Sequence, residues 1–212
     1  PRGNHVGVMC PQPIDLYNKI GVNTNLYWMI SATHISDALK PKDRIEHTHG
    51  LTKTQISNIP NEIKAPAMIL EAVDKNGNVI ANDIIIVTSE VDEDRCPVII
   101  PINTTGKGKH ENVEISCNYI KSVYGRNNFS EWLQKHIDAD AVLYINKEKA
   151  VQLEAKSNTQ WFEKLKEYNF DTIIHRFHQN FYLQNNQNMI KYQLCFCIVM
   201  QHQFPSDKSI VF

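Results

Sequence analysis

Nine histidines occur in the 212 residues, and the densest group is Glu46-His47-Thr48-His49-Gly50-Leu51, with His34 upstream. An imidazole can take and give a proton near neutral pH, and loops held by a scaffold are where catalytic groups concentrate. The spacing fits surface or capping histidines equally well. A metal reading is open too: His47 and His49 could share an ion in extended backbone, and His175 and His178 stand one helical turn apart. Neither pair is accompanied by a carboxylate motif of the His-Glu-x-x-His kind, and one polar face of a terminal helix accounts for the second pair.

The second cluster is Tyr119-Ile120-Lys121-Ser122-Val123-Tyr124-Gly125-Arg126. In extended geometry Ser122 and Tyr124 share a face, and Lys121 or Arg126 could hold a phosphate at the strand end. Hydroxyl, phenol and guanidinium on a sheet, opposite two histidines, suit in-line phosphoryl transfer without a metal. One histidine would remove the proton of a ribose 2′-OH and another would protonate the leaving 5′-oxygen, while the cation and hydroxyls stabilise the developing charge. An ordinary edge strand closed by a glycine turn is the competing reading. Lys107 and Lys109, and Lys147 and Lys149, could touch phosphates or be solvated surface lysines. Among Trp28, Tyr119, Tyr124 and Trp132, aromatic residues that could stack on bases, Tyr124 is the one selected, since an aromatic in a helix stripe is usually core.

Composition bounds these ideas. With 22 basic and 23 acidic residues and 42% hydrophobic content, the chain is neither a charged disordered tail nor a polycationic nucleic-acid coat. Binding to a polyanion must come from a local basic patch. Five cysteines, at 10, 96, 117, 195 and 197, make no CxxC and suggest neither a disulfide framework nor a zinc ribbon, so a reducing compartment is expected. The longest apolar run, Leu194 to Met200, is far short of the roughly 20 residues of a spanning helix. The start, Pro-Arg-Gly-Asn, reads as a fragment cut from a longer chain.

The elements that must position these residues follow from periodicity. Ile14, Tyr17 and Ile20 predict a short helix, and Ile35, Ala38 and Leu39 a second within 30–39. Thr52 and Gln55 form a capping box ahead of Ile56, Ile59 and Ile63, a third helix that ends before Pro66. Strands are expected over 67–73 and 79–88 about a two-residue Asn76-Gly77 turn, then over 97–102, with Gly106-Lys107-Gly108-Lys109 as a flexible loop. Alternation from Val113 to Tyr119 predicts a fourth strand. Phe129, Trp132, Leu133 and Ile137 mark an amphipathic helix, 141–145 a strand, and Trp161, Phe162 and Leu165 a packing stripe. The expected class is α+β, N-terminal helices packed on a mostly antiparallel sheet with a helical C-terminal extension. From Gln179 to Gln203 ten of 25 residues are Asn or Gln, a linker, packed arm or dimerisation strand.

Taken together, Ser31-Ala-Thr-His34-Ile, His47-Thr-His49-Gly50-Leu51, the capped helix closing at Ala65-Pro66, Cys96-Pro97-Val98-Ile99, Lys121-Ser122-Val123-Tyr124-Gly125 and Leu143-Tyr144-Ile145-Asn146-Lys147 resemble the MuF C-terminal domain of phage head-morphogenesis and mobile-element polyproteins. The resemblance covers about residues 13–152 and implies a domain over 1–152 followed by a helical and Asn/Gln-rich extension over 153–212. It implies kinship with polymorphic toxins of the barnase, EndoU, colicin and RelE class, hence metal-independent RNA cleavage with no cofactor. Carried over by position, the His-Gly histidine is His49, the strand hydroxyls are Ser122 and Tyr124, and the later pair is Tyr144 with Lys149; His47 and His34 follow. The expected site is therefore His49, His47, Ser122, Tyr124, Arg126, His34 and Tyr144, with Lys121, Lys149 and Lys107 on the substrate. The expected partners are RNA and a cognate immunity protein, with no membrane, and the place of action is the cytoplasm of a target cell reached from a phage or larger polyprotein. Two other classes stand beside it: a noncatalytic binding module of a phage or mobile-element polyprotein, and a metal-dependent hydrolase using His34, His47 and His49.

Overall fold

The computed structural model describes residues 5–9, 14–110 and 113–165, which fall within one compact unit, residues 1–174. His175, His178 and the Asn/Gln-rich tail lie outside the described residues. In chain order the elements are β1 (His5–Met9), α1 (Asp15–Lys19), β2 (Tyr27–Ser31), α2 (Ala32–Leu39), α3 (Lys53–Lys64), β3 (Met68–Val73), β4 (Val79–Val91), β5 (Pro97–His110), β6 (Val113–Ile120), β7 (Tyr124–Gly125), α4 (Phe129–Asp138), β8 (Val142–Ile145) and α5 (Lys147–Lys156), then a 3-10 turn at Phe162–Leu165. The strands form one sheet in the order β1-β2-β6-β5-β4-β3-β8, with β7 added to β5. Every pairing is antiparallel except β2 with β6, which is parallel. The protein is α+β.

Alternation across the central strands buries both sheet faces. Met68, Leu70, Ile85, Val87, Ile99 and Val142 share a face with Phe129 and Leu133 of α4, Ala150 and Leu153 of α5, and Trp161 and Leu165 beyond it. Ile69, Ile86 and Ile100 point the other way and are equally buried. On the N-terminal side α1, β2 and α3 lock together: the buried Tyr17 hydroxyl donates to the Ile63 carbonyl at 2.7 Å and its ring stands edge-on to Trp28. The Thr52 capping box closes with both of its hydrogen bonds, worth about 1 kcal/mol to the start of α3.

Three expectations are corrected. Residues 106–109 are not a loop but the outer half of β5, paired through His110 with β6. The β3–β4 turn is a three-residue one: the Asp74 N–H donates to the Asn78 carbonyl, and the Asp74 carboxylate accepts from the Asn76 and Asn78 N–H groups, out-competing the two-residue alternative. Ile30 belongs to β2 rather than to the second helix, because a short continuous apolar run does not separate strand from helix by period alone. Among the described residues no helix is long and apolar enough to cross a membrane.

Candidate active site

The parallel pair β2 and β6 ends at Ile30 and Ile120 in register, and both chains then turn over the same end of the sheet. After β2 the chain enters α2 directly, with the Ser31 hydroxyl capping the helix by accepting the His34 N–H at 3.1 Å. After β6 it passes through Lys121, Ser122 and Val123 into β7, which rejoins β5 at Val98 and Ile99. His34 and Ser122 thus rise from the carboxyl ends of neighbouring parallel strands.

The histidine loop is built on the last turn of α2. The carbonyls of Asp37, Ala38 and Lys40 accept the N–H groups of His49, Leu51 and Gly50 at 3.0, 2.7 and 2.7 Å, so orphan groups of the helix end fix the backbone of His49. Asp43 and Thr48 exchange both backbone hydrogen bonds and close the loop on itself. Between them His47 has φ 55°, a left-handed conformation that costs about 1–2 kcal/mol for a non-glycine residue and marks a loop held under constraint. Gly50 is also left-handed, and a Cβ there would stand 2.8 Å from Glu93 Oε1.

Lys42 clamps this loop to the β4–β5 turn. Its Nζ lies 2.6 Å from both Asp92 Oδ2 and Asp94 Oδ2, and the fully buried Asp92 carboxylate also accepts the N–H groups of Asp94 and Cys96. The other side of Asp92 is covered by Gly125 of β7, where a Cβ would come within 2.0 Å of the carboxylate, so only glycine fits. The loop, the acidic turn and β7 are thereby one assembly.

That assembly brings three predicted residues together. His49 Nε2 stands 3.4 Å from Ser122 Oγ, and the His49 and Tyr124 rings are 5.3 Å apart. His49, His47, Lys42, Tyr124 and Arg126 line one cavity of about 210 Å3. Burial lowers the pKa of His49 below 6.5; Asp37 opposes this, while His47, Lys42 and His34 push the same way. At neutral pH His49 is therefore mainly neutral, with a ring nitrogen free to accept a proton. The Arg126 guanidinium lies over Trp132, 5.4 Å from the ring centroid, and its buried Nε has no hydrogen-bond partner.

The remaining predicted residues are distributed around and away from this point. His34 faces Tyr119, ring centroids 6.1 Å apart, close enough to bear on the His49 charge. Lys121 pairs with Asp83 at 2.7 Å and lines a neighbouring cavity beneath α4. Lys107 sits in the outer β5–β6 hairpin, paired with Glu114 at 3.0 Å. Tyr144 is on β8, with β3 and β4 between it and β5; there it helps hold the pKa of Tyr17 above its ordinary value, after burial. Lys149 donates to the Ala65 carbonyl. The structure does not bring Lys107, Tyr144 or Lys149 to His49. Among the described residues no three His, Cys, Asp or Glu side chains converge as a metal-donor set, His34, His47 and His49 included. Sequence reasoning passed over Lys42 and Asp92, because an Asp-Glu-Asp run before Cys-Pro looks like a solvated turn; the available signal was an Asp four residues before the Cys96 N–H it accepts.

The sequence pattern of the phage MuF C-terminal domain matches residues 40–152. The match ends where the resemblance ended but begins at residue 40 rather than near 13, so it contains His47, His49, Ser122, Tyr124 and Arg126 and leaves out His34. Neither a curated protein nor a solved structure matches the chain. More than half of its length carries this pattern, and the chain belongs to the phage MuF C-terminal domain family.

Proposed function

We propose that this domain is an endoribonuclease that cleaves RNA by attack of the ribose 2′-OH, with no metal in the step. The observation that supports it is the convergence of His49, Tyr124 and Arg126 on one cavity, with the Ser122 hydroxyl 3.4 Å from His49 Nε2 and burial lowering the His49 pKa. His49 Nε2 takes the 2′-OH proton and the 2′-oxygen attacks phosphorus. The bond from phosphorus to the 5′-oxygen breaks, and His47, on the same cavity, gives that oxygen a proton. The products are a 2′,3′-cyclic phosphate and a 5′-hydroxyl end. Ser122 Oγ, the Tyr124 hydroxyl and the Arg126 guanidinium donate to the non-bridging oxygens as charge builds on them.

Membership of a phage family supports delivery with a phage particle or larger polyprotein and action in the cytoplasm of the recipient cell, where a cognate immunity protein would have to cover this cavity. The test is a synthetic RNA oligonucleotide cleaved at a mapped site, compared with the same strand carrying 2′-deoxyribose at that site alone. The deoxy strand is expected to survive intact. Cleavage of both strands at the same rate removes the 2′-OH from the mechanism and the proposal with it.

A further inference from the structure

The cavity beneath α4 is larger than the one at His49, about 320 Å3, and shares Tyr124 and Arg126 with it as a common wall. Four cations line it, Lys75, Lys121, Arg126 and Lys135, against the carboxylates of Asp74 and Asp83. The Asp74 carboxylate is already committed to the N–H groups of its own turn, and Asp83 to Lys121 and the Asn103 amide. Lys75 and Lys135 are exposed and come from separate elements, one from the β3–β4 turn and one from α4. On a chain whose formal net charge is −1, this is a local concentration of positive charge. The apolar part of the lining comes from Ala72, Ile84, Pro101 and Ile102.

Two buried polar atoms at this cavity have no partner: Arg126 Nε, a donor, and His136 Nε2. The His136 Nδ1 is 2.9 Å from the Trp132 carbonyl, which can only accept, so Nδ1 carries the proton and Nε2 is a bare acceptor. Buried orphans are costly, and both of these sit on side chains that line the same charged hollow.

We propose that this cavity is the subsite for the nucleotide next to the scissile phosphate, its phosphate taken by Arg126 with Lys75 and Lys135 and its base laid on the apolar lining. The assignment rests on the ribonuclease reading for the word scissile; the binding itself does not. A strand would pass from the His49 cavity over the Tyr124–Arg126 wall, one residue pair serving both sites, and the flanking nucleotide would thereby set which phosphodiester reaches His49.

The test is a fluorescence titration of the whole chain with a 2′-deoxy tetranucleotide, which lacks the attacking hydroxyl. Trp132 is half-buried against Arg126, whereas Trp28 and Trp161 are sealed in the core, so a change in emission reports on this wall. The double variant Lys75→Ala/Lys135→Ala, altered only at exposed side chains, should bind at least about tenfold more weakly, and the magnitude of its log K against log salt slope should drop by about 0.7, the one phosphate the two lysines share on a single strand. Equal affinity in the double variant and wild type, or no binding by wild type, overturns the subsite. An identical loss of affinity for inorganic phosphate alone shows a free-anion site and overturns the strand assignment. Intact RNA together with lysine-dependent binding refutes the ribonuclease reading and leaves the nucleotide site standing.

Discussion

In the proposed reaction His49 is the base, and burial, with His47, Lys42 and His34, favours its neutral form against the opposing charge of Asp37. Desolvation is the largest influence and holds its pKa below 6.5. A base must be deprotonated to act, so the rate should fall as pH drops through that lowered value. The acid limb of the pH–rate profile is predicted to have its midpoint below 6.5, read from single-turnover rates between pH 4.5 and 7.5; a midpoint above 6.5 contradicts a desolvated base. The hydroxyls are separable from it. Ser122→Ala and Tyr124→Phe each remove one donor and should lower the rate by about 10- to 1000-fold while the acid limb stays where it is, because neither changes the burial of His49. A shift of that limb in Ser122→Ala would mean that the 3.4 Å contact tunes the imidazole instead of serving the phosphate.

At the scale of elements, the site depends on the clamp among the histidine loop, the acidic turn and β7. Asp92→Ala leaves the Cys96 and Asp94 N–H groups without their buried acceptor and Lys42 with only the exposed Asp94, and should cost about 1–3 kcal/mol of stability, measured by urea denaturation. Gly125→Ala forces a methyl into the Asp92 carboxylate and should cost about 1–3 kcal/mol and lower cleavage together with it. A Gly125→Ala protein of wild-type stability and rate would show that β7 does not set the loop. The same clamp explains what could be read in advance. Capping boxes, hydrophobic stripes and alternation are local, so α3, α4, β3 and the inner part of β4 stand where periodicity puts them. The outer half of β5 reads as a loop because Gly-Lys-Gly-Lys shows no apolar alternation: its inward position is Gly108, buried against Met29 and Cys117, while Lys107 and Glu114 pair in water across the hairpin. His49 with Ser122 and Tyr124 was legible as two clusters of suitable chemistry. Lys42–Asp92 was not, since 50 residues separate them and only the fold makes a carboxylate in an acidic run a buried anchor.

For the whole molecule, near-neutral net charge means that the proposed RNA substrate would have to be held by local fields, the cations at the Tyr124–Arg126 wall. The C-terminal side of the chain also supports this region: Leu153, Trp161 and Leu165 complete the core under α4, and Lys164 Nζ donates to the Ser130 carbonyl at 3.2 Å. His136 links that core to pH. Burial lowers its pKa below 6.5, so between the lowered folded value and 6.5 the unfolded chain binds a proton that the folded one refuses. Its contribution is therefore full above 6.5 and is lost as pH falls through that window; the urea midpoint should drop between pH 7.5 and 5.5, and His136→Gln should flatten the drop. An equal drop in the variant places the acid sensitivity elsewhere. The most direct test of the whole account is incubation of the protein and its His49→Ala variant with total bacterial RNA in excess chelator, with the fragment ends analysed. The account predicts 2′,3′-cyclic phosphate ends from wild type only, with the variant equally folded and slower by about 10²-fold or more. RNA left intact by both proteins, or cut equally by both, contradicts it.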